Sequence, residues 1–263
     1  MDQEPRIIVS TDGGVATVRL NDPGSMNALS AAMAAELDTV IAELSADDRT
    51  RCLVITGTGR GFCAGGDVQS FYDNRDDPDA VMRAILEGLH GAVERLLDAP
   101  FPTIAAINGV VAGAGMGVAM ATDLAVAVDT AVFTMAYTGI GVSPDGSSTY
   151  FLPRLVGTRR AMEMILTNNR VRAAEALDLG LVNRVVSPEA FDDEVAALAS
   201  SLAAGPTLAY VRARRLIRTS LGSDPVTQMS AEADSIMAAS ATWDFREGVS
   251  AFIEKRAPNF EGR

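Results

Sequence analysis

Lysine, histidine and tryptophan each occur once in this 263-residue chain, cysteine occurs twice, and only 5% of the residues are aromatic. The single lysine, Lys255, stands near the C-terminus, so no GxxxxGK[ST] phosphate loop lies upstream of it and P-loop nucleotide chemistry is excluded. Cys52 and Cys63, without a CxxC pair, build neither a disulfide framework nor a structural zinc site, which points to a reducing compartment. No window approaches the roughly 20 apolar residues of a membrane helix. The stretch Met1–Ser10 carries Asp2 and Glu4 ahead of a short apolar run and reads as neither signal nor transit peptide, so a cytoplasmic protein is expected.

What is present is acidic. Twenty-two basic residues against thirty-four acidic ones give 22 − 34 = −12, a charge that repels phosphate backbones; no nucleic-acid partner and no membrane partner are expected. The 48% of apolar residues is ordinary for a soluble globular chain, and the length suffices to bury a core without staples.

Along the chain, Ile7–Ser10 and Val15–Leu20 flank Thr11-Asp12-Gly13-Gly14, a hairpin signal. Ser30 is placed to cap a helix in which Met33, Leu37, Val40, Ile41 and Leu44 share a face. Strands are predicted at 52–56, 102–108, 124–128, 132–135 and 181–186, with a helix over 79–97 and a buried small-residue helix after the second glycine cluster. Two of the strands run into glycine-dense loops, Gly57–Val68 and Gly109–Gly117, and then into helices. Repetition of strand, glycine loop and helix predicts an α/β fold around a buried sheet. From Ser187-Pro188 onward the pattern is helical, broken at Gly205-Pro206 and Gly222–Pro225.

Gly113-Ala114-Gly115-Met116-Gly117 is one residue short of the dinucleotide GxGxxG spacing. Two such loops opening two helices suit a different task, presenting backbone N–H groups to an oxyanion. The segments Phe62–Val68 and Ala105–Gly115, with Met26–Leu29, Phe151–Gly157, Gly180–Asn183 and Arg246–Phe252, together resemble the enoyl-CoA hydratase/isomerase (crotonase) superfamily over nearly the whole chain.

The resemblance implies a crotonase-like spiral of ββα turns over residues 1–190. It implies a C-terminal helical region, 191–263, that serves oligomerisation and completes the coenzyme A site, with assembly as a homotrimer or homohexamer. It also implies an acyl-CoA thioester substrate with no separate cofactor, and no metal is expected. The oxyanion donors fall on the N–H groups of Gly66 and Ala114; Ala28, Ala64, Gly65 and Asp67 fall in the coenzyme A-binding segments, as do Phe252 and Lys255.

Hydratases of the superfamily carry two glutamates that handle water, and Gly117 and Tyr137 stand at those positions. One carboxylate remains, Asp145, in a segment similar to the ring-epoxide isomerases of phenylacetyl-CoA degradation, where an aspartate is the acid/base. A lone carboxylate can carry a proton from one carbon to another, so isomerisation is expected. An Asp ahead of small residues also suits a helix cap near Gly146. The chain is similar as well to the 4-chlorobenzoyl-CoA dehalogenases, which pair an aspartate nucleophile at the place of Asp145 with a histidine base at that of His90; they have tryptophan where Tyr137 stands. Asp145, Gly66, Ala114, His90 and Tyr137 form the candidate catalytic set, with hydratase, dehalogenase and non-catalytic coenzyme A-binding activities as alternatives. Cys63 reads as a small buried residue.

Overall fold

The structure, a computed structural model, describes residues 5–263, so Asp2 and Glu4 lie outside the described residues. Gly13 and Gly14 take left-handed φ values of 53° and 83° and turn β1 (Ile7–Asp12) into antiparallel β2 (Val15–Leu20), as the sequence predicts. The Ser30 hydroxyl accepts from the Met33 N–H at the start of α1 (Ala31–Ser45), which buries Met33, Leu37, Ile41 and Leu44.

From there the chain winds in turns. The first turn is β3 (Cys52–Gly57), β4 (Gly61–Cys63), α2 (Val68–Asp73) and α3 (Asp79–Asp98). The second is β5 (Thr103–Ile107), β6 (Val110–Ala112) and α4 (Ala114–Ala121), and the third is β7 (Leu124–Val128), β8 (Val132–Thr134), α5 (Ser148–Val156) and α6 (Thr158–Thr167). Then β9 (Val171–Arg172), α7 (Ala173–Asp178) and β10 (Arg184–Val186) lead into α8 (Pro188–Ala203), α9 (Thr207–Ser220), α10 (Pro225–Ser240) and α11 (Trp243–Glu254). The first strand of each turn enters a six-stranded sheet, β1-β2-β3-β5-β7-β10, and the second enters a four-stranded sheet, β4-β6-β8-β9. This is the ββα spiral that the motifs imply.

The core lies between the large sheet and its helices. Phe62, Phe101, Phe133, Leu53 and Ile55 are fully buried, each contributing about 1.5–3 kcal/mol by leaving water. All eight residues of α4 are buried, matching its small, apolar composition. The last strand is shorter than expected: it begins at Arg184, because the Leu181 N–H returns to the Ala176 carbonyl and closes the end of α7.

The boundary expected between residues 190 and 191 falls inside α8, which crosses it and buries Phe191, Val195, Ala199 and Ala203 in the same core. Beyond Gly205 the helices contribute little to that core; α10 buries no residue at all. The C-terminal segment folds back: Arg51, just ahead of β3, donates to the Phe260 carbonyl, and the buried Asp244 carboxylate accepts from the Glu261 and Gly262 N–H groups. Among the described residues no helix is long and apolar enough to cross a membrane.

Candidate active site

β4 and β6 are neighbouring parallel strands of the small sheet, pairing Gly61 with Val110 and Cys63 with Val111. The loop leaving β4 carries Gly66, and the residue two beyond β6 is Ala114, so the spacing of these two backbone groups descends from the interstrand distance of about 4.8 Å. The loops touch. A Cβ on Gly113 would lie 3.5 Å from the Gly65 Cα, and one on Gly65 would lie 3.2 Å from the Ala112 carbonyl oxygen.

Closeness of this kind needs glycine at Gly115, where a Cβ would stand 2.4 Å from the Cys63 carbonyl oxygen. Neither the Gly66 nor the Ala114 N–H donates to any group among the described residues. Ala114 is the first residue of α4, so its N–H lies at that helix's positive end. Two free donors and a helix terminus together suit an oxygen that gains negative charge.

A third segment braces the first loop. The Ala64 N–H donates to Met26, the Leu29 N–H to Gly65, and the Asp67 N–H to Leu29, which brings Ala28 alongside Ala64, Gly65 and Gly66. The buried Asn27 amide donates to the Gly61 carbonyl at 2.8 Å, fixing the approach to β4. Asp67 caps α2, its carboxylate accepting from the N–H groups of Gln69 and Ser70 and from the Ser70 hydroxyl. Its carboxylate holds the loop, as the residue preceding a helix commonly does.

Asp145 lies on the stretch between β8 and α5. It precedes Gly146, whose carbonyl oxygen packs against Gly117, one helical turn along α4 from Ala114; a Cβ on Gly117 would lie 2.7 Å away from that oxygen. The Asp145 carboxylate does not cap a helix, contrary to the simpler expectation, since α5 begins only at Ser148 and takes the Asp145 main-chain carbonyl instead. Its Oδ1 accepts the buried Tyr137 hydroxyl at 2.6 Å. Burial, then the adjacent Asp145 charge, raises the Tyr137 pKa well above its ordinary value near 10, so the phenol stays protonated as the donor.

His90 is exposed on α3, yet it lines the same cavity as Asp145, a space of about 420 Å³ whose other walls include Leu86, Val93, Leu97 and Pro144. The structure thus brings together His90 and Asp145 on one hand, and Asp145 with Tyr137 on the other.

The family model for enoyl-CoA hydratase/isomerase matches residues 10–263. The chain belongs to that family. It is similar to the 1,2-epoxyphenylacetyl-CoA isomerase of Escherichia coli K12, 36% identical over 258 residues that cover 98% of both chains. It is also similar to a 4-chlorobenzoyl coenzyme A dehalogenase of an Arthrobacter species, 39% identical over 207 residues that cover 78% of this chain and 75% of the relative. The crystal structure of an enoyl-CoA hydratase from Polaromonas sp. JS666 superposes with a TM-score of 0.92 at 33% identity, covering 97% of this chain and 99% of that one.

Other candidates lie apart in the single chain. Phe252 is 83% exposed and lines a separate apolar groove with Phe245, Val249 and Phe260, and Lys255 ends α11 in a left-handed conformation on the surface. Cys52 and Cys63 are buried free thiols, and desolvation pushes each pKa up to about 12, which keeps both unreactive. The sequence did not flag Arg214 and Arg218 on α9, although two arginines four apart on one helix of an acidic chain were a visible signal.

Proposed function

We propose that the chain stabilises a thioester enolate on an acyl-CoA substrate and isomerises the acyl group, with Asp145 as the acid/base. One observation carries this: next to a single carboxylate held by a buried phenol, the Gly146 backbone packs on Gly117 of α4, one turn from a free helix-terminal N–H. In a β,γ-enoyl thioester, Asp145 takes the proton between the carbonyl and the double bond. The electrons move onto the carbonyl oxygen, where the Gly66 and Ala114 N–H groups receive the charge. Asp145 then returns the proton to the γ carbon, leaving an α,β-enoyl thioester. Losing one such donor typically costs about 3–4 kcal/mol of transition-state stabilisation. Coenzyme A enters as part of the substrate, and no separate cofactor is invoked.

Hydration fits less well. It calls for acid and base groups acting on one water, and Gly117 cannot be exchanged for a glutamate while Gly146 occupies the space beside it. Hydrolytic dehalogenation is the second reading, favoured by the shared cavity of His90 and Asp145. There Asp145 attacks the halogen-bearing ring carbon, halide leaves, and a water deprotonated by His90 cleaves the resulting ester to a hydroxyaryl thioester. The exposed apolar side chains Met229, Ile236, Met237 and Phe252 support self-association, which on this reading is a homotrimer or homohexamer.

The test is a parallel assay of β,γ-enoyl, α,β-enoyl, 4-halobenzoyl and epoxyphenylacetyl thioesters with wild type and Asp145→Asn. Double-bond or ring isomerisation is expected, falling about 10²–10⁴-fold in Asp145→Asn with thioester affinity retained. Wild-type turnover in Asp145→Asn overturns the assignment.

A further inference from the structure

We propose that Arg218 is a positioning residue for the oxyanion site, acting through α4 from its far end; this rests on the acyl-CoA reading above. Arg214 and Arg218 stand four apart on α9 and face the spiral core. Arg218 Nη2 donates to the Ala121 carbonyl, the last of α4, at 3.0 Å, and Nη1 donates to the Leu97 carbonyl in the last turn of α3 at 2.7 Å. One guanidinium therefore caps both the helix that presents the Ala114 N–H and the helix that carries His90. Arg214 takes the carbonyls of Ala99 and Phe101 and leaves α4 alone.

Both arginines pair with a single carboxylate. Asp123 receives Arg214 at 3.1 Å and Arg218 at 3.0 Å, and it is anchored by the Thr103 N–H at 2.9 Å. The side chains are only 11%, 23% and 18% exposed for Arg214, Arg218 and Asp123. Asp123 faces both cations and the exposed Asp98 carboxylate at the end of α3 acts on Arg218 as well, so these charges are held in a poorly solvated place. Desolvation there is costly, and a well-packed apolar contact would dock α9 at less cost, so docking alone does not account for the charge.

The electrostatics of α4 do account for it. The helix has eight residues, hence a length of about 12 Å, and its C-terminal carbonyls carry roughly half a negative charge. In so short a helix, buried throughout, that negative end opposes the positive end at Ala114. A guanidinium on Ala121 cancels the opposing end, so that the field of the N-terminus acts on the substrate carbonyl undiminished. The C-terminal region thus participates in polarising the thioester although no side chain of α9 lines the Asp145 cavity.

The test reads the thioester carbonyl directly. A non-isomerisable saturated acyl-CoA, ¹³C-labelled at the carbonyl, is bound to wild type, Arg218→Met, Arg218→Lys and Arg214→Met, and its infrared stretch is compared with that of the free thioester. Wild type is expected to lower the frequency. Arg218→Met is expected to lose part of that shift and to lower kcat about 3- to 30-fold with KM within about twofold. Arg218→Lys should recover both, and Arg214→Met, which removes equal charge and the same Asp123 pairing, should keep more of the shift than Arg218→Met.

A wild-type shift in folded Arg218→Met, or an equal loss in Arg214→Met, overturns the proposal. Should Arg218→Met fail to fold, Arg218→Gln keeps a donor for Ala121 without the charge and must show the same loss. Absence of any shift in wild type defeats the acyl-CoA reading itself and takes this inference with it.

Discussion

Tyr137 Oη stands 2.6 Å from Asp145 Oδ1 and donates to it from within the core. The pair converts a loop carboxylate into one with a defined direction. On the proposed reading, the phenol of Tyr137 orients Asp145 as the acid/base instead of supplying an acid or base of its own.

Tyr137→Phe removes that bond at nearly constant volume. A hydrogen bond to a charged group contributes about 1.5–3 kcal/mol, so kcat should fall at least about tenfold with little change in KM. Steady-state kinetics on a β,γ-enoyl thioester check this, and an unchanged kcat would remove Tyr137 from the site.

His90→Ala separates the two readings of the cavity. Isomerisation needs no second base, so turnover of the enoyl thioester should hold within about twofold and 4-chlorobenzoyl-CoA should release no chloride from wild type. Chloride release from wild type, with an ester trapped on Asp145 in His90→Ala, would make dehalogenation the native reaction.

Gly117→Ala places a methyl group where Gly146 already stands. Overpacking should cost about 1–3 kcal/mol, visible as a lowered Tm, and should displace the loop that carries Asp145. A stability equal to wild type would show that this contact is loose.

The buried thiols make stability depend on alkaline pH. Their folded pKa values near 12 lie above the unfolded range near 8.5, so the stability linked to them is complete below pH about 8.5 and is lost as pH rises toward 12. Each thiol steepens the loss by at most about 1.4 kcal/mol per pH unit. Denaturant titrations at pH 8 and 10 should show a shallower pH slope in Cys52→Ala/Cys63→Ala, and native protein at pH 8 should not react with a thiol reagent.

Lys255→Ala tests the C-terminal segment. One charge-assisted phosphate contact is worth about 1.5–3 kcal/mol, so coenzyme A affinity should drop roughly tenfold or more by calorimetry, and truncation before Phe252 should lower the mass measured by light scattering. Unaltered affinity would leave Lys255 an ordinary surface residue.

Much of this was legible beforehand, for physical reasons. Gly13-Gly14, Ser30 and Ser187-Pro188 mark element ends through backbone conformation and capping, which act locally and so show in local sequence. The paired glycine loops announced close backbone approach, and the contact between Gly115 and Cys63 is of that kind. Strands β4, β6 and β9 are not legible: each is two or three residues long, and β4 and β6 lie inside the glycine-dense loops, where nothing sets a strand apart. Tyr137 is a candidate in the sequence, but its bond to Asp145 is not legible there, for another reason. Tyr137 opens a short turn bordered by left-handed Ala136 and Gly141, and local sequence does not show that such a turn is followed by a chain segment returning Asp145 to its hydroxyl.

The pairing of β4 with β6 has a consequence for how such a protein can change. On the proposed reading, the groups that receive the carbonyl oxygen are peptide N–H groups just beyond these paired strands, so most side-chain substitutions leave them in place. The residues proposed to handle the proton sit apart from those strands, on α3, on the turn after β8 and on the loop before α5. A lineage can therefore replace its chemistry one side chain at a time while inheriting the ability to hold a polarised thioester intact, except at Gly117, where any newcomer must first evict the Gly146 backbone.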